Sequence, residues 1–243
     1  MISKYQIEEL RDKWQTTELN VAREYVQHVL LSTLFQGLRK QVRLAFKGGT
    51  ALRIVWGSPR FSEDLDFTGW GKEFHIGETL KETVAGAYKA GLDIELVESC
   101  KTIGGWFAIA KTIVHEWPVK IEWNISLREI QQAEMDPVLI TTPLWASYSI
   151  HALAVDQMVF EKVDALFRRK KPRDFFDLYF ALRERLGIKM IAPQKKRLLE
   201  EVEKLNSRTI SKELKDLTPR GHWAVINQLP HLLKQELERL PSR

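Results

Sequence analysis

The sequence predicts an α+β chain: a helical N-terminal cap, a small mixed sheet with helices, and a helical C-terminal part. Three observations carry this reading. Apolar residues recur at helical spacing through residues 4–14 and 19–38, with Val21, Tyr25, Val29, Leu30 and Leu34 on one stripe. Five short segments between residues 43 and 126 read as strands, the last three on alternation or β-branched enrichment. After Pro143 few strand signals remain and helical spacing dominates.

The elements follow in order. Residues 43–47 read as a strand, 50–56 as a short helix and 65–68 as a second strand. Residues 75–90 read as a helix, with Gly91 as its C-terminal stop. LDIELVE (92–98), WFAIAKTIV (106–114) and VKIEWNIS (119–126) read as three more strands, and Pro118 sits where a strand can begin. Residues 152–167, 172–186 and most of 194–240 read as helices. Pro172 suits a first helical turn, where its missing N–H does no harm. The expected division is a sheet domain with its helical cap over 1–145 and a helical domain over 146–243. Nothing repeats and nothing is low-complexity.

Composition narrows the classes. The 243 residues are 44% hydrophobic and include eight Trp and eleven Phe, enough for a real core and contrary to disorder. A single cysteine, Cys100, excludes an internal disulfide framework and fits a reducing compartment. The first residues are charged, unlike a signal peptide, and no run approaches the ~20 apolar residues of a bilayer span. A cytoplasmic protein away from membranes is expected. The net charge of +5 is uneven: residues 151–243 hold 20 Lys and Arg against 13 Asp and Glu, whereas residues 1–150 carry −2. A basic C-terminal part favours a polyanionic partner, although basic helices also simply aid solubility.

The stretch FKGGTALRIVWGSPRFSEDLDF (46–67) carries the chemistry. On a strand Asp64 and Asp66 project from one side of the sheet while Leu65 and Phe67 face the core. Two such carboxylates repel unless a cation lies between them, and oxygen ligands at this spacing suit Mg²⁺ together with phosphate oxygens. Gly48 and Gly49 let the backbone approach a ligand, and a helix starting near Thr50 aims its N–H groups there. Arg60 is the better of two nearby arginines for a phosphate contact. The Ser62 hydroxyl either meets substrate or caps the turn, and a phosphate or nucleotide attached to it would crowd the carboxylates and switch the site off. Taken singly, a Gly-Gly before a helix is usually a turn and Asp-x-Asp a solvated strand edge. In this order, strand, Gly-Gly, helix, turn and Asp-x-Asp make the arrangement of the nucleotidyltransferase fold of the DNA polymerase β kind. Two-metal phosphoryl transfer calls for a third acid on a neighbouring strand. Glu122, between Ile121 and Trp123, is the candidate; its plain alternative is an exposed residue paired with Lys120 or Lys111.

KGGTALR (47–53) followed by RFSEDLDF (60–67) resembles the signature of the AbiEii toxin family, the nucleotidyltransferase-like toxins of bacterial and archaeal toxin–antitoxin systems. The resemblance continues through VKIEWNIS (119–126), EKVDAL (161–166) and KPRDFFDLYFAL (171–182), and covers residues 44–182. Two details depart from the family: the third acid is Glu rather than Asp, and Met158-Val159-Phe160 is bulkier than usual.

The resemblance implies a Mg²⁺-dependent enzyme, with two ions, that takes an NTP and transfers its nucleotide to an acceptor such as the 3′ end of tRNA. It also implies growth inhibition and a cognate antitoxin encoded nearby. Asp64, Asp66 and Glu122 would hold metal; Gly48, Gly49, Thr50, Arg60, Ser62 and Lys162 would bind the nucleotide. Lys162 would reach the triphosphate as a compact positive charge, and Asp174 would act as a base or orient Lys162. Asp177, three residues on, fits a cap or a packing brace equally well. The basic run Arg168, Arg169, Lys170, Lys171 and Arg173 would grip a triphosphate or an RNA backbone, although each alone reads as a solvated loop residue. The six histidines show no zinc spacing, and His115 and His151 read as structural. Two rival readings stay open: a non-catalytic nucleic-acid- or partner-binding protein on this scaffold, and transfer of phosphate or nucleotide to a protein hydroxyl.

Overall fold

Ser3 starts the first helix through a capping box with Gln6, and Thr17 accepts the Asn20 amide at the start of the second. These helices are α1 (Lys4–Trp14) and α2 (Glu18–Gly37). The computed structural model describes residues 1–38, 42–71, 74–127, 134–187 and 192–241. The chain divides into two compact units, Met1–Gly57 with Phe61–Leu153, and Ser58–Arg60 with Ala154–Arg243.

The first unit continues with β1 (Val42–Lys47), α3 (Gly48–Ile54), β2 (Leu65–Gly71), α4 (Phe74–Lys89), β3 (Ile94–Thr102), β4 (Gly105–Val114), β5 (Trp117–Leu127), β6 (Met135–Ile140) and β7 (Tyr148–Leu153). The strands form one mixed sheet in the order β3-β4-β5-β2-β1-β7-β6. β2 runs parallel to β5 and β1 parallel to β7; the other neighbours are antiparallel. Along β5, Val119, Ile121, Trp123 and Ile125 are buried while the residues between them are more exposed, the alternation a one-sided core imposes. α2 packs against β5, β7 and α4, and its Val21, Tyr25, Val29, Leu30 and Leu34 are all buried.

The structure adds β6 and β7 to the five expected strands. β7 occupies Tyr148–Leu153, so residues 152 and 153 end a strand where the sequence reading begins a helix, and α5 starts at Val155. The first unit runs to Leu153, because β7 belongs to the sheet, between β1 and the edge strand β6. β3 runs on to Thr102 past a register shift between Leu96 and Glu98.

The second unit holds α5 (Val155–Arg169), α6 (Pro172–Arg183), α7 (Ala192–Glu203), α8 (Ser207–Leu214), α9 (Trp223–Asn227) and α10 (Leu229–Arg239). Lys170, in the left-handed conformation, ends α5, and Pro172 opens α6. Its own core gathers Leu166, Phe175, Phe176, Leu198, Ile210 and Leu233. Among the described residues no helix is long and apolar enough to cross a membrane.

Candidate active site

In the first unit the chain turns from β1 into α3 at Gly48, whose φ of +83° lies in the left-handed region. A Cβ at this position would stand 2.1 Å from Asp66 Oδ2. The Asp66 carboxylate therefore rests directly on the glycine corner. Strand pairing sets it there: Lys47 on β1 is opposite Asp66 on β2, and Asn124 on β5 is its parallel partner. Asn124 Nδ2 approaches Asp66 Oδ1 at 3.4 Å, a long contact that leaves the carboxylate most of its acceptor capacity.

Asp64 precedes β2 in an irregular stretch and is half-buried. The buried Thr50 hydroxyl donates to the Asp64 carbonyl, so Thr50 serves the backbone of the acidic segment. Gln27 Nε2, from α2, donates to the Ser62 carbonyl at 2.9 Å, and Arg23 pairs with Glu63 at 3.2 Å. Glu122 shares the face of Asn124, two residues away on β5, and pairs with Lys120. That pairing holds Lys120 more firmly protonated, with Asp64 adding to the effect from farther off. Among the described residues no three His, Cys, Asp or Glu side chains gather around one point suited to a metal. The donor set that fits Mg²⁺ is Asp66 on the glycine corner with Asp64 two residues before it. Both supply hard oxygens, and one or two carboxylates with phosphate and water oxygens complete such a shell.

α3 itself is braced from α2. Arg53 pairs with the buried Glu24 and lies over the Phe61 ring, 3.4 Å from its centroid. Burial pushes the Glu24 carboxyl up and Arg53 opposes that shift. His28 shares a 2.7 Å hydrogen bond with the Tyr148 hydroxyl, and burial, then Arg53, push it down to about 3, so it is a neutral structural group. His115 Nε2 bonds the Ile2 carbonyl at 2.9 Å, and His151 packs edge-on against Phe35.

The second unit builds an ion-pair cluster of its own. Arg60, 2% exposed, donates through Nε and Nη2 to Asp177 Oδ1 and Oδ2 at 2.8 and 2.9 Å. Lys162 Nζ donates to Asp177 Oδ2 at 2.7 Å. Burial alone would raise the Asp177 carboxyl, but Arg60 and Lys162 outweigh it and hold the group at about 2. The place beside Lys162 thus belongs to Asp177, whereas Asp174, fully buried, takes two bonds from Arg169 at 2.8 and 2.7 Å. Arg60, expected at a phosphate, is enclosed with its guanidinium fork on a carboxylate. Within the basic run, Arg168 pairs with Asp164, Arg169 with Asp174 and Lys170 with Glu201. Lys171 and Arg173 form no ion pair among the described residues.

Sequence reasoning passed over Asn124, Gln27 and Arg23. Asn124 carries no charge to draw attention, although a polar residue between buried Trp123 and Ile125 marks the face shared with Glu122. In the sequence Gln27 and Arg23 are two of many polar positions on α2, with nothing to set them apart.

Solved structures share this fold. The nucleotidyltransferase toxin MenT4 from Mycobacterium tuberculosis H37Rv is 17% identical, with a TM-score of 0.67, over 99% of this chain and 91% of its own. A Helicobacter pylori protein described as a nucleotidyltransferase is 20% identical, with a TM-score of 0.58, over 93% of this chain and 100% of its own. JHP933 from Helicobacter pylori is 20% identical, with a TM-score of 0.56, over 92% and 95%. A search among curated proteins finds no match. The family model for the nucleotidyl transferase AbiEii toxin of type IV toxin–antitoxin systems matches residues 30–235. With that match across both units, the chain belongs to the AbiEii family of nucleotidyltransferase toxins.

Proposed function

We propose that this toxin transfers a nucleotide from an NTP to an RNA 3′ hydroxyl, with the tRNA 3′ end as acceptor, in a Mg²⁺-dependent reaction that arrests growth in the cytoplasm. The observation that carries this reading is the Asp66 carboxylate seated against Gly48, with Asp64 two residues before it. The corner admits the Asp66 carboxylate only because Gly48 lacks a Cβ, and the two carboxylates beside it supply oxygens for an ion.

Asp64 and Asp66 would hold the metal, and Glu122 would join them on release from Lys120. Magnesium bound there would offset the negative charge of the triphosphate. The acceptor hydroxyl oxygen forms a bond to the α-phosphorus as the bond from that phosphorus to the α,β-bridging oxygen breaks. Pyrophosphate leaves, and the hydroxyl proton passes to solvent or a carboxylate. In this proposal Gly48, Gly49 and Ser62 meet the nucleotide; in the second unit Lys162, held in place by Asp177, is a cationic group of the kind a triphosphate calls for. Lys171 and Arg173 are the basic residues left for an RNA backbone. A cognate antitoxin opposes the activity, in keeping with the family.

Incubation with α-labelled and γ-labelled NTPs, total RNA and cell lysate tests the proposal. Label from the α position is expected in small RNA. Label in protein, or transfer from the γ position, would overturn the stated acceptor or the stated bond.

A further inference from the structure

Residues 61–64 lie between the turn at Ser58–Arg60 and the start of β2, and belong to no helix or strand. Their backbone is therefore not set by the sheet ladder, and their carbonyls need other donors. Two come from buried side chains on different helices. Gln27, 2% exposed on α2, donates to the Ser62 carbonyl at 2.9 Å, and Thr50, fully buried on α3, donates to the Asp64 carbonyl. Between them the Glu63 side chain pairs with Arg23, one turn before Gln27 on α2. Three consecutive residues are thus held from two helices, immediately before the strand that carries Asp66. Asp66 differs, because β1 and β5 fix its position on both sides.

We infer that Gln27 and Thr50 are positioning residues that hold the Asp64 carboxylate at the place where it joins Asp66 on a divalent cation. The inference rests on the reading of Asp64 and Asp66 as metal ligands and extends the site into α2. Arg23 and Gln27 both precede residue 30, where the family match begins. A hydroxyl or amide that orients a ligand's backbone acts at one remove from the ion. Loss of such a partner costs about 10- to 100-fold in metal affinity.

The test measures Mn²⁺ binding to the purified full chain by titration followed with electron paramagnetic resonance, alongside amide hydrogen exchange of the peptide containing residues 62–65. Thr50→Val keeps the buried volume and removes the donor, Thr50→Ser keeps the donor, and Gln27→Leu removes the α2 contact. Thr50→Val and Gln27→Leu are expected to bind Mn²⁺ about 10-fold more weakly or worse, with faster exchange confined to that peptide. Thr50→Ser is expected to bind as the wild type does. A melting curve for each variant separates this outcome from unfolding, and Thr50→Ser restores falsifiability if Thr50→Val does not fold. If the wild type and Thr50→Val bind Mn²⁺ equally while Asp66→Asn does not, the inference fails and the metal site stands. If Asp66→Asn binds Mn²⁺ as the wild type does, the metal reading fails and takes the inference with it.

Discussion

Replacing Gly48 with alanine puts two separate demands on the first unit. The backbone at φ +83° is strained for any L side chain, at about 1–2 kcal/mol. The new methyl would also stand 2.1 Å from Asp66 Oδ2 and 2.8 Å from its Cβ and Cγ, so the Asp66 side chain must leave its rotamer. An off-rotamer side chain adds about 0.5–1.5 kcal/mol. Together these give roughly 2–3 kcal/mol, or a melting temperature lower by about 4–12 °C for a chain of this size. Activity should fall by about 100-fold or more, because the displaced atom is the proposed ligand oxygen. Gly57→Ala separates the two effects. Gly57 has φ +75°, yet a Cβ there meets nothing within 4 Å. It should lose only the backbone share, about 1–2 kcal/mol, and keep nucleotide transfer. Melting curves and transfer rates of both variants, measured below their transitions, decide the matter. Equal loss of activity in the two, or full activity in Gly48→Ala, would refute the claim that Gly48 exists to admit Asp66.

Asp177→Asn removes the carboxylate that neutralises Arg60 and Lys162, and uncompensated charge at a buried pair costs about 3–5 kcal/mol, visible as a lower melting transition. The Asp177 group is held near 2, below its unfolded value, so its stabilisation is complete above about pH 4 and is lost as pH falls toward 2. Denaturant melts from pH 5 down to pH 2 should therefore weaken the wild type more steeply than Asp177→Asn. Replacing Lys171 and Arg173 together with alanine should weaken RNA binding and flatten its dependence on salt by about one to two units of slope, with NTP binding unchanged. Filter binding at several salt concentrations checks this.

The parts of the molecule legible in the sequence are those governed by local chemistry. The glycine at the turn from β1 into α3, the strand that carries Asp66 and Pro172 at the head of α6 each state their requirement within a few residues. β6 escaped because Pro137 stands inside it, tolerable only because this strand lies at the sheet edge. β7 escaped because six residues of strand pass into α5 with only Ala154 between, and the apolar residues of the two elements run together. The third strand residue beside Asp66 is a matter of register, which sequence does not contain: Glu122 and Asn124 share a face, and pairing with β2 brings Asn124 alongside. Arg60 and Asp177 are 117 residues apart, and each has a plausible surface role until their burial together is seen. The Lys162 partner moved from Asp174 to Asp177 for the same reason, since helical spacing alone offers both.

Release of pyrophosphate and incorporation of α-labelled nucleotide into RNA, compared between the wild type and Asp66→Ala with Mg²⁺ present and with EDTA, addresses the centre of the account. The expectation is transfer by the wild type with Mg²⁺ alone, none in the other three conditions, and a melting curve for Asp66→Ala close to that of the wild type. A folded Asp66→Ala protein that still transfers nucleotide at the wild-type rate would contradict it.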